Sequence, residues 1–178
     1  MLNISFTNRV AIVTGAGGGL GRTYALELAR RGAAVVVNDL GCTYDGQGVS
    51  RSMADAVVDE IKMGGGRAVA SHDSVTTSTG GKAIVQTALD AFGRVDVLIN
   101  NAGSLRNAAF DELSDDLIDQ MIDVHLKGAF HVTRPAFRAM KEQRYGRIVM
   151  TSSAAGMFGN HQQAAYAAAK AGLIGLMN

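Results

Sequence analysis

The sequence predicts an α/β protein, a doubly wound parallel sheet in a three-layer α-β-α arrangement, from three observations. Short runs rich in Val and Ile alternate with longer amphipathic stretches, and repeated strand–helix–strand order gives parallel strands joined by right-handed crossovers. The apolar runs lack polar alternation, as strands buried on both faces do. The first run passes through a glycine cluster straight into the first amphipathic stretch.

Strands are expected at Val10–Thr14, Ala34–Asn38, Arg67–Ala70, Val95–Asn100 and Arg147–Thr151. Helices are expected at about Gly19–Arg31, Ser50–Met63, Ser78–Phe92, Ser114–Glu142 and from Gln162 onward. In the fourth helix Ile118, Ile122, His125, Ala129, Thr133, Phe137 and Met140 recur at helical spacing and form one stripe. Pro135, the single proline, is expected to kink or break that helix, because it has no N–H to donate to the preceding turn. The glycine-rich segment Gly41–Gly48 follows the second strand and reads as a mobile loop beside a binding groove.

Length and charge narrow the function. The 178 residues suit one domain, 1–178. Seventeen basic against sixteen acidic residues leave a net charge of +1, no footprint for nucleic acid or an anionic membrane. No run approaches the ~20 apolar residues of a membrane helix, and no basic segment precedes an apolar one at the start. The expected compartment is the cytoplasm. Cys42 stands alone, which excludes an internal disulfide and fits a reducing environment. No metal-ligand spacing is present.

The glycine loop reads Thr14-Gly15-Ala16-Gly17-Gly18-Gly19-Leu20-Gly21. Gly15 permits a tight turn, Gly19 allows backbone to approach a pyrophosphate, and Gly21 allows the helix to pack close. The helix start offers free N–H groups to phosphate oxygens. A glycine cluster alone also suits a flexible turn, but the second strand ends in Asp39, eighteen positions after Gly21. A carboxylate there can bind both ribose hydroxyls of an adenosine half. It repels a 2′-phosphate, and Leu40, not arginine, follows it. NAD is therefore expected over NADP.

Tyr166 and Lys170 stand four apart in an alanine-rich helix and so share a face. A free tyrosine ionises near pH ~10, a nearby ammonium favours the phenolate, and acid–base transfer works best near the working pH. Lysine can also hold a ribose. Ser153 lies at the end of a strand thirteen residues before the tyrosine, where its hydroxyl can meet a substrate oxygen as charge develops.

Together the glycine loop Thr14–Gly21, the N-N-A-G string Asn100–Gly103, Ser153 and Tyr166-x-x-x-Lys170 resemble the short-chain dehydrogenase/reductase family, in the family's order and over nearly the whole chain. The resemblance implies a Rossmann fold and a hydride transfer between a nicotinamide dinucleotide and an alcohol or ketone. It implies Ser153, Tyr166 and Lys170 as the catalytic group, with Gly15, Gly19, Leu20, Gly21 and Asp39 on the cofactor. Asp73, with Ser74 and Val75, matches the family's adenine contact, and Asn101, Ala102 and Gly103 match the loop beneath the riboses. Asn100 is read as a brace of the sheet. A closer resemblance, carried by Val35–Gly41, Asp73–Val75 and Gly146–Ala154, is to the hydroxyacyl-CoA dehydrogenase regions of type 2 peroxisomal multifunctional enzymes and to their bacterial single-domain relatives. It implies NAD-linked oxidation of a (3R)-hydroxyacyl-CoA.

His125 departs from the family pattern, which usually has asparagine here feeding a water chain to the lysine. Two roles are expected for it: a proton relay titrating between about pH 5 and 8, or a satisfied core histidine. Family members continue past Y-x-x-x-K with two more strands and the substrate-closing segments, so the chain is expected to lack the C-terminal strands. A homodimer or homotetramer through the fourth and catalytic helices is implied by analogy. Two other readings are an NADPH-dependent 3-oxoacyl ketoreductase and, if 178 residues were the mature length, a non-catalytic dinucleotide-binding fragment.

Overall fold

A computed structural model describes residues 4–42, 45–47 and 52–177. Five parallel strands, β1 (Val10–Thr14), β2 (Ala34–Asn38), β3 (Arg67–Ser71), β4 (Val97–Asn100) and β5 (Arg147–Met150), form one sheet in the order β3-β2-β1-β4-β5. The reversal of strand order beside β1 is the switch point of a doubly wound fold, where ligands bind at the carboxyl ends of the strands. The register pairs Thr14 with Asn38 and Asn38 with Ser71, so the residues that open the expected site lie along one edge.

Helices α1 (Gly19–Arg30) and α2 (Ser52–Met63) cover one face, against Ala11, Val13, Val35, Val37 and Ile99. On the other face α3 (Ser78–Phe92) and α5 (Gly128–Gln143) pack on Val10, Ile12, Ala34, Val36 and Leu98. Every residue of β1, β2 and β4 is buried, which accounts for their unbroken apolar runs. At about 1.5–3 kcal/mol per buried Val or Ile, these strands dominate the cohesion of the sheet. Edge strand β5 is half-covered, with Val149 48% exposed. At the amino pole Asp96 is fully buried and accepts hydrogen bonds from Arg9 Nη1, Arg94 Nε and the Val10 N–H, tying β1 to the turn before β4. Burial pushes the Asp96 carboxyl up, but these donors outweigh it and hold it below the usual range.

The long fourth helix is not one regular helix. It divides into α4 (Asp115–Met121), a π-helical segment (Ile122–Lys127) and α5. Across the π turn the buried positions run Leu117, Met121, His125, Ala129, Val132, Ala136 and Met140. The predicted stripe therefore holds at His125, Ala129 and Met140 but not at Ile118 and Phe137, which are 37% and 58% exposed. Extra residues in a π turn shift the helical phase. Pro135 does not interrupt α5, which continues through it to Gln143. Its missing N–H leaves the His131 carbonyl without its helical partner, and that carbonyl lies against Gly81 of α3.

Other boundaries moved slightly. β4 begins at Val97, not Val95; the Val95 N–H and carbonyl are met by the Gln143 side-chain amide rather than by a neighbouring strand. A short helix, α6 (Ala154–Phe158), precedes α7 (Ala164–Met177). Ser50, and part of the expected Gly41–Gly48 loop, lie outside the described residues. Among the described residues, no helix is long and apolar enough to cross a membrane, and no group of residues could hold a metal ion.

Candidate active site

The carboxyl ends of β1, β2 and β4 bring the glycine loop, Asp39 and Asn101–Gly103 together. Gly15 has φ +64, and a Cβ on it would stand 2.7 Å from the Ala102 Cα. A Cβ on Gly21 would enter the Gly15 carbonyl and come 2.6 Å from Asn101 Nδ2. Two glycines thus let the loop after β1 lie flat on the loop after β4. Gly21 was expected to bring α1 close to the sheet; its immediate neighbours are these two loops. Gly19, at φ +51, has nothing among the described residues within 4 Å of a Cβ, and Leu20 beside it is 61% exposed.

The first turn of α1 starts at Gly18, which supplies no side-chain cap. Its N–H groups are therefore available to an anion. The fit to a dinucleotide is good: open glycine backbone, an uncapped helix start, and a carboxylate at the end of β2. Asp39 is held in place by two 2.7 Å bonds, Oδ2 accepting from the Gly17 N–H and Oδ1 from the Gly41 N–H.

Asp73 accepts from Ser71 Oγ at 3.1 Å, and its carbonyl accepts from Asn38 Nδ2 at 2.9 Å. Ser74 Oγ pairs with Thr76 Oγ1. The Val75 carbonyl receives a 3.0 Å bond from His131 Nδ1 of α5. The expected adenine contact thus has a support on a distant helix. Asn100 Nδ2 donates to Thr133 Oγ1 and approaches Met150 Sδ at 3.3 Å, linking β4 to α5 and β5 as a brace does.

Thr14 has a larger part than the motif alone suggested. Its Oγ1 accepts the N–H groups of both Asn101 and Ala102 at 3.0 Å, and its carbonyl accepts from Asn101 Nδ2. The only sequence signal was a threonine ahead of the first glycine; which loop it would meet depends on β1 and β4 being neighbours.

Tyr166 and Lys170 occupy one face of α7, with Lys170 Nζ 5.7 Å from the centre of the Tyr166 ring. Lys170 is only 4% exposed and Nζ donates to the Thr151 carbonyl at 2.6 Å. Burial lowers its pKa to about 8. Ser153 caps α6, accepting the Ala155 N–H at 3.2 Å. Helix α6 lies on α7 where Gly156, lacking a Cβ, meets the Lys170 backbone. Ser152 Oγ adds a bond to the Lys170 carbonyl.

His125 is 4% exposed and contacts three parts of the site. Nε2 donates to the Ser104 carbonyl at 2.8 Å. The imidazole fills the place a Gly103 side chain would take, with Cε1 2.5 Å from that point. Its ring meets that of Tyr166 edge to face. Burial first, then the nearby Lys170 charge, lowers its pKa to about 4. The expected titration between pH 5 and 8 is therefore not supported: desolvation keeps the ring neutral across that range.

The short chain dehydrogenase family matches residues 9–178, and the chain belongs to it. The chain is 56% identical over 175 residues to the peroxisomal multifunctional enzyme type 2 of Mus musculus, covering 98% of this chain and 23% of that protein. It is 42% identical over 171 residues to a 3-oxoacyl-[acyl-carrier-protein] reductase of Synechocystis sp., covering 96% of this chain and 66% of the reductase. The crystal structure of a short chain dehydrogenase from Mycobacterium avium aligns with a TM-score of 0.87 at 44% identity, over 97% of this chain and 62% of that one. The chain spans about a quarter of the mouse relative's length.

Proposed function

We propose that the protein is an NAD-dependent oxidoreductase that interconverts a secondary alcohol and its ketone, with a (3R)-hydroxyacyl-CoA as the substrate class. The observation that carries this reading is the buried Lys170 ammonium beside Tyr166, on a helix whose partner α6 begins at Ser153.

The bound dinucleotide would supply a two-electron hydride acceptor at its nicotinamide ring. The glycine loop Gly15–Gly21 and Leu20 would hold its pyrophosphate, and Asp39 the adenosine ribose hydroxyls. Asp73, Ser74 and Val75 would meet the adenine, while Asn101, Ala102 and Gly103 pass beneath the riboses. Ser153 Oγ donates to the substrate oxygen and fixes its position. Tyr166 Oη takes the hydroxyl proton as the carbon loses hydride. Lys170 spends one N–H on Thr151 and keeps two donors, enough for a ribose hydroxyl. His125 holds the ring of Tyr166 from the side.

Identity favours the acyl-CoA reading over an NADPH-linked ketoreductase, at 56% against 42%. Asp39 points the same way, since a carboxylate repels a 2′-phosphate. Initial rates of the full-length protein with NAD and NADP, on hydroxyacyl-CoAs and simple secondary alcohols, test the proposal. NADP preference would overturn the cofactor, and unchanged activity in Tyr166→Phe would remove that residue as the acid/base.

The assembly implied is a homodimer or homotetramer. Ile118, Phe130 and Phe137 stand out from α4 and α5 at 37%, 42% and 58% exposure, and sedimentation of the full-length protein tests it. The cytoplasm is the compartment this reading assigns, on the free thiol of Cys42; the mouse relative's name says peroxisomal, and cell fractionation decides between them.

A further inference from the structure

Two residues from different elements close on one point of the glycine loop. A Cβ on Gly17 would stand 2.8 Å from the Cβ of Met53 and 2.9 Å from both Cγ and Oδ2 of Asp39. No side chain fits between them, so position 17 has to be glycine. Met53 then runs on along the loop, and a Cβ on Gly18 would be 3.5 Å from its Cε. A half-buried thioether of α2 therefore lies over the backbone of Gly17 and Gly18, directly beside the carboxylate. Its neighbours fix it there. Ala54 is fully buried in the core, and Asp55 Oδ1 lies 3.3 Å from His72 Nε2, just past the end of β3.

The place of that thioether bears on what the ribose can carry. Asp39 Oδ2 accepts the Gly17 N–H and Oδ1 the Gly41 N–H, so the carboxylate is fixed. A ribose whose hydroxyls meet it brings its 2′-oxygen against it. A phosphate on that oxygen needs room beside the carboxylate and donors to offset its charge. On the Oδ2 side the donors are those of the glycine loop and the first turn of α1. Met53 lies over the Gly17–Gly18 part of that loop with carbon and sulfur. The carboxylate repels and the thioether fills, both against the same group.

We propose that Met53 is a specificity-determining residue: packed on Gly17 and Gly18 beside Asp39, it takes the space a 2′-phosphate would need and so helps Asp39 exclude NADP. The inference rests on the dinucleotide reading of the groove and deepens it. This second determinant is steric and apolar, and it lies on α2 rather than at the end of β2.

Equilibrium titrations of the full-length protein with NADH and NADPH, followed by nucleotide fluorescence, test it. Met53→Ala clears the space and leaves Asp39 in place. It is expected to narrow the ratio of the NADPH to NADH dissociation constants by about tenfold, the low end of what bulk discriminates in a pocket, through tighter NADPH binding. Met53→Lys puts an ammonium where the phosphate would come. It should narrow the ratio by about tenfold more, as a charge-assisted hydrogen bond does. Met63→Lys adds the same charge at the far, exposed end of α2 and should keep the wild-type ratio. A wild-type ratio in Met53→Ala, or a narrowing that comes only from weaker NADH binding, would overturn the role of Met53. An equal gain in Met63→Lys would trace the lysine effect to net charge and overturn the placement of the phosphate beside Met53. Should Met53→Lys fail to fold, Met53→Ala decides. Wild-type protein that binds neither nucleotide overturns the dinucleotide groove and this role with it. Tighter NADPH than NADH binding by the wild type overturns the exclusion and leaves the groove, whereas NADH preference with an unmoved ratio in the variants overturns the role of Met53 alone.

Discussion

The rings of His125 and Tyr166 meet edge to face, centroids 5.1 Å apart and planes at 88°. With Nε2–H committed to Ser104, the imidazole is a neutral ring wedged between the N-A-G loop and the expected acid/base. Its Nδ1 is buried without a hydrogen-bond partner among the described residues, so protonation there would place a charge beside Lys170.

That placement sets a stability signature. The folded-state pKa is about 4 against an ordinary 6.5. Above about 6.5 the ring is neutral whether the chain is folded or not. As pH falls from 6.5 towards 4, the unfolded chain takes a proton that the folded chain refuses, and stability of the order of 3 kcal/mol is lost. Denaturant unfolding at neutral pH and near pH 4.5 should show this loss in the wild type, and a smaller loss in His125→Asn. The pH–rate profile between about 5 and 8 should keep its shape in the variant, with a lower plateau from the poorly held tyrosine. A missing inflection in that window would return the ring to the role of proton carrier.

Lys170 predicts the opposite end of the scale. Burial brings its pKa down to about 8 from 10.5. Below about 8 it is charged in both states, and the burial penalty is present in full. Between about 8 and 10.5 the folded chain sheds the proton while the unfolded chain keeps it, so stability rises, by the order of 3 kcal/mol. Lys170→Met should lack this rise when unfolding is compared at pH 8 and pH 10. The same substitution should lower turnover by about 10²–10⁴-fold, the usual contribution of acid–base assistance.

Much of this site was legible in the chain itself. Glycines at 15, 19 and 21, Asp39 at a strand end, and Tyr166 four residues before Lys170 are local patterns, and local patterns survive reading in one dimension. What could not be read depends on which strands are neighbours. Thr14 holds Asn101 and Ala102 because β1 pairs with β4. His131 supports Val75 because α5 crosses α3. The π turn at Ile122–Lys127 was equally hidden. A spacing of three and four looks helical whether or not one residue bulges, so Phe137 falls on the expected stripe although it faces out.

Asp39 should govern the choice of dinucleotide. Asp39→Ser removes the charge that repels a 2′-phosphate and also loosens Gly17 and Gly41. The expected outcome is a fall in kcat/KM with NAD of about tenfold, from lost charge-assisted hydrogen bonds, and a gain with NADP. Steady-state kinetics with both dinucleotides measure it, and an unchanged preference would place discrimination elsewhere.

Thr14→Val keeps the shape of the side chain and deletes the hydroxyl. The N–H groups of Asn101 and Ala102 then lose their acceptor beneath the groove, at a cost of about 1–3 kcal/mol for each left buried and unpaired. Both stability and dinucleotide affinity should fall, and Thr14→Ser should restore most of each. Calorimetric unfolding and NADH titration read the two effects separately. Wild-type affinity in Thr14→Val would mean that the loop keeps its form without the threonine.

Gly81 offers a test of how the two helices on one face of the sheet hold Val75, part of the expected adenine contact. On propensity alone, alanine in place of a helical glycine gains about 1 kcal/mol. Here the added Cβ would run into the His131 carbonyl of α5, 2.5 Å from its carbon. Both groups are backbone, so neither can swing aside. The carbonyl is turned towards α3 at the position from which Pro135 withholds its hydrogen bond. Gly81→Ala should therefore lose about 1–3 kcal/mol, as overpacked sites do, despite its better propensity. Gly175→Ala in α7, with nothing within 4 Å of its Cβ, is the control and should be neutral or stabilising. Forcing α5 away from α3 also stretches the 3.0 Å bond from His131 to the Val75 carbonyl, so NADH affinity should fall together with stability in Gly81→Ala and hold steady in Gly175→Ala.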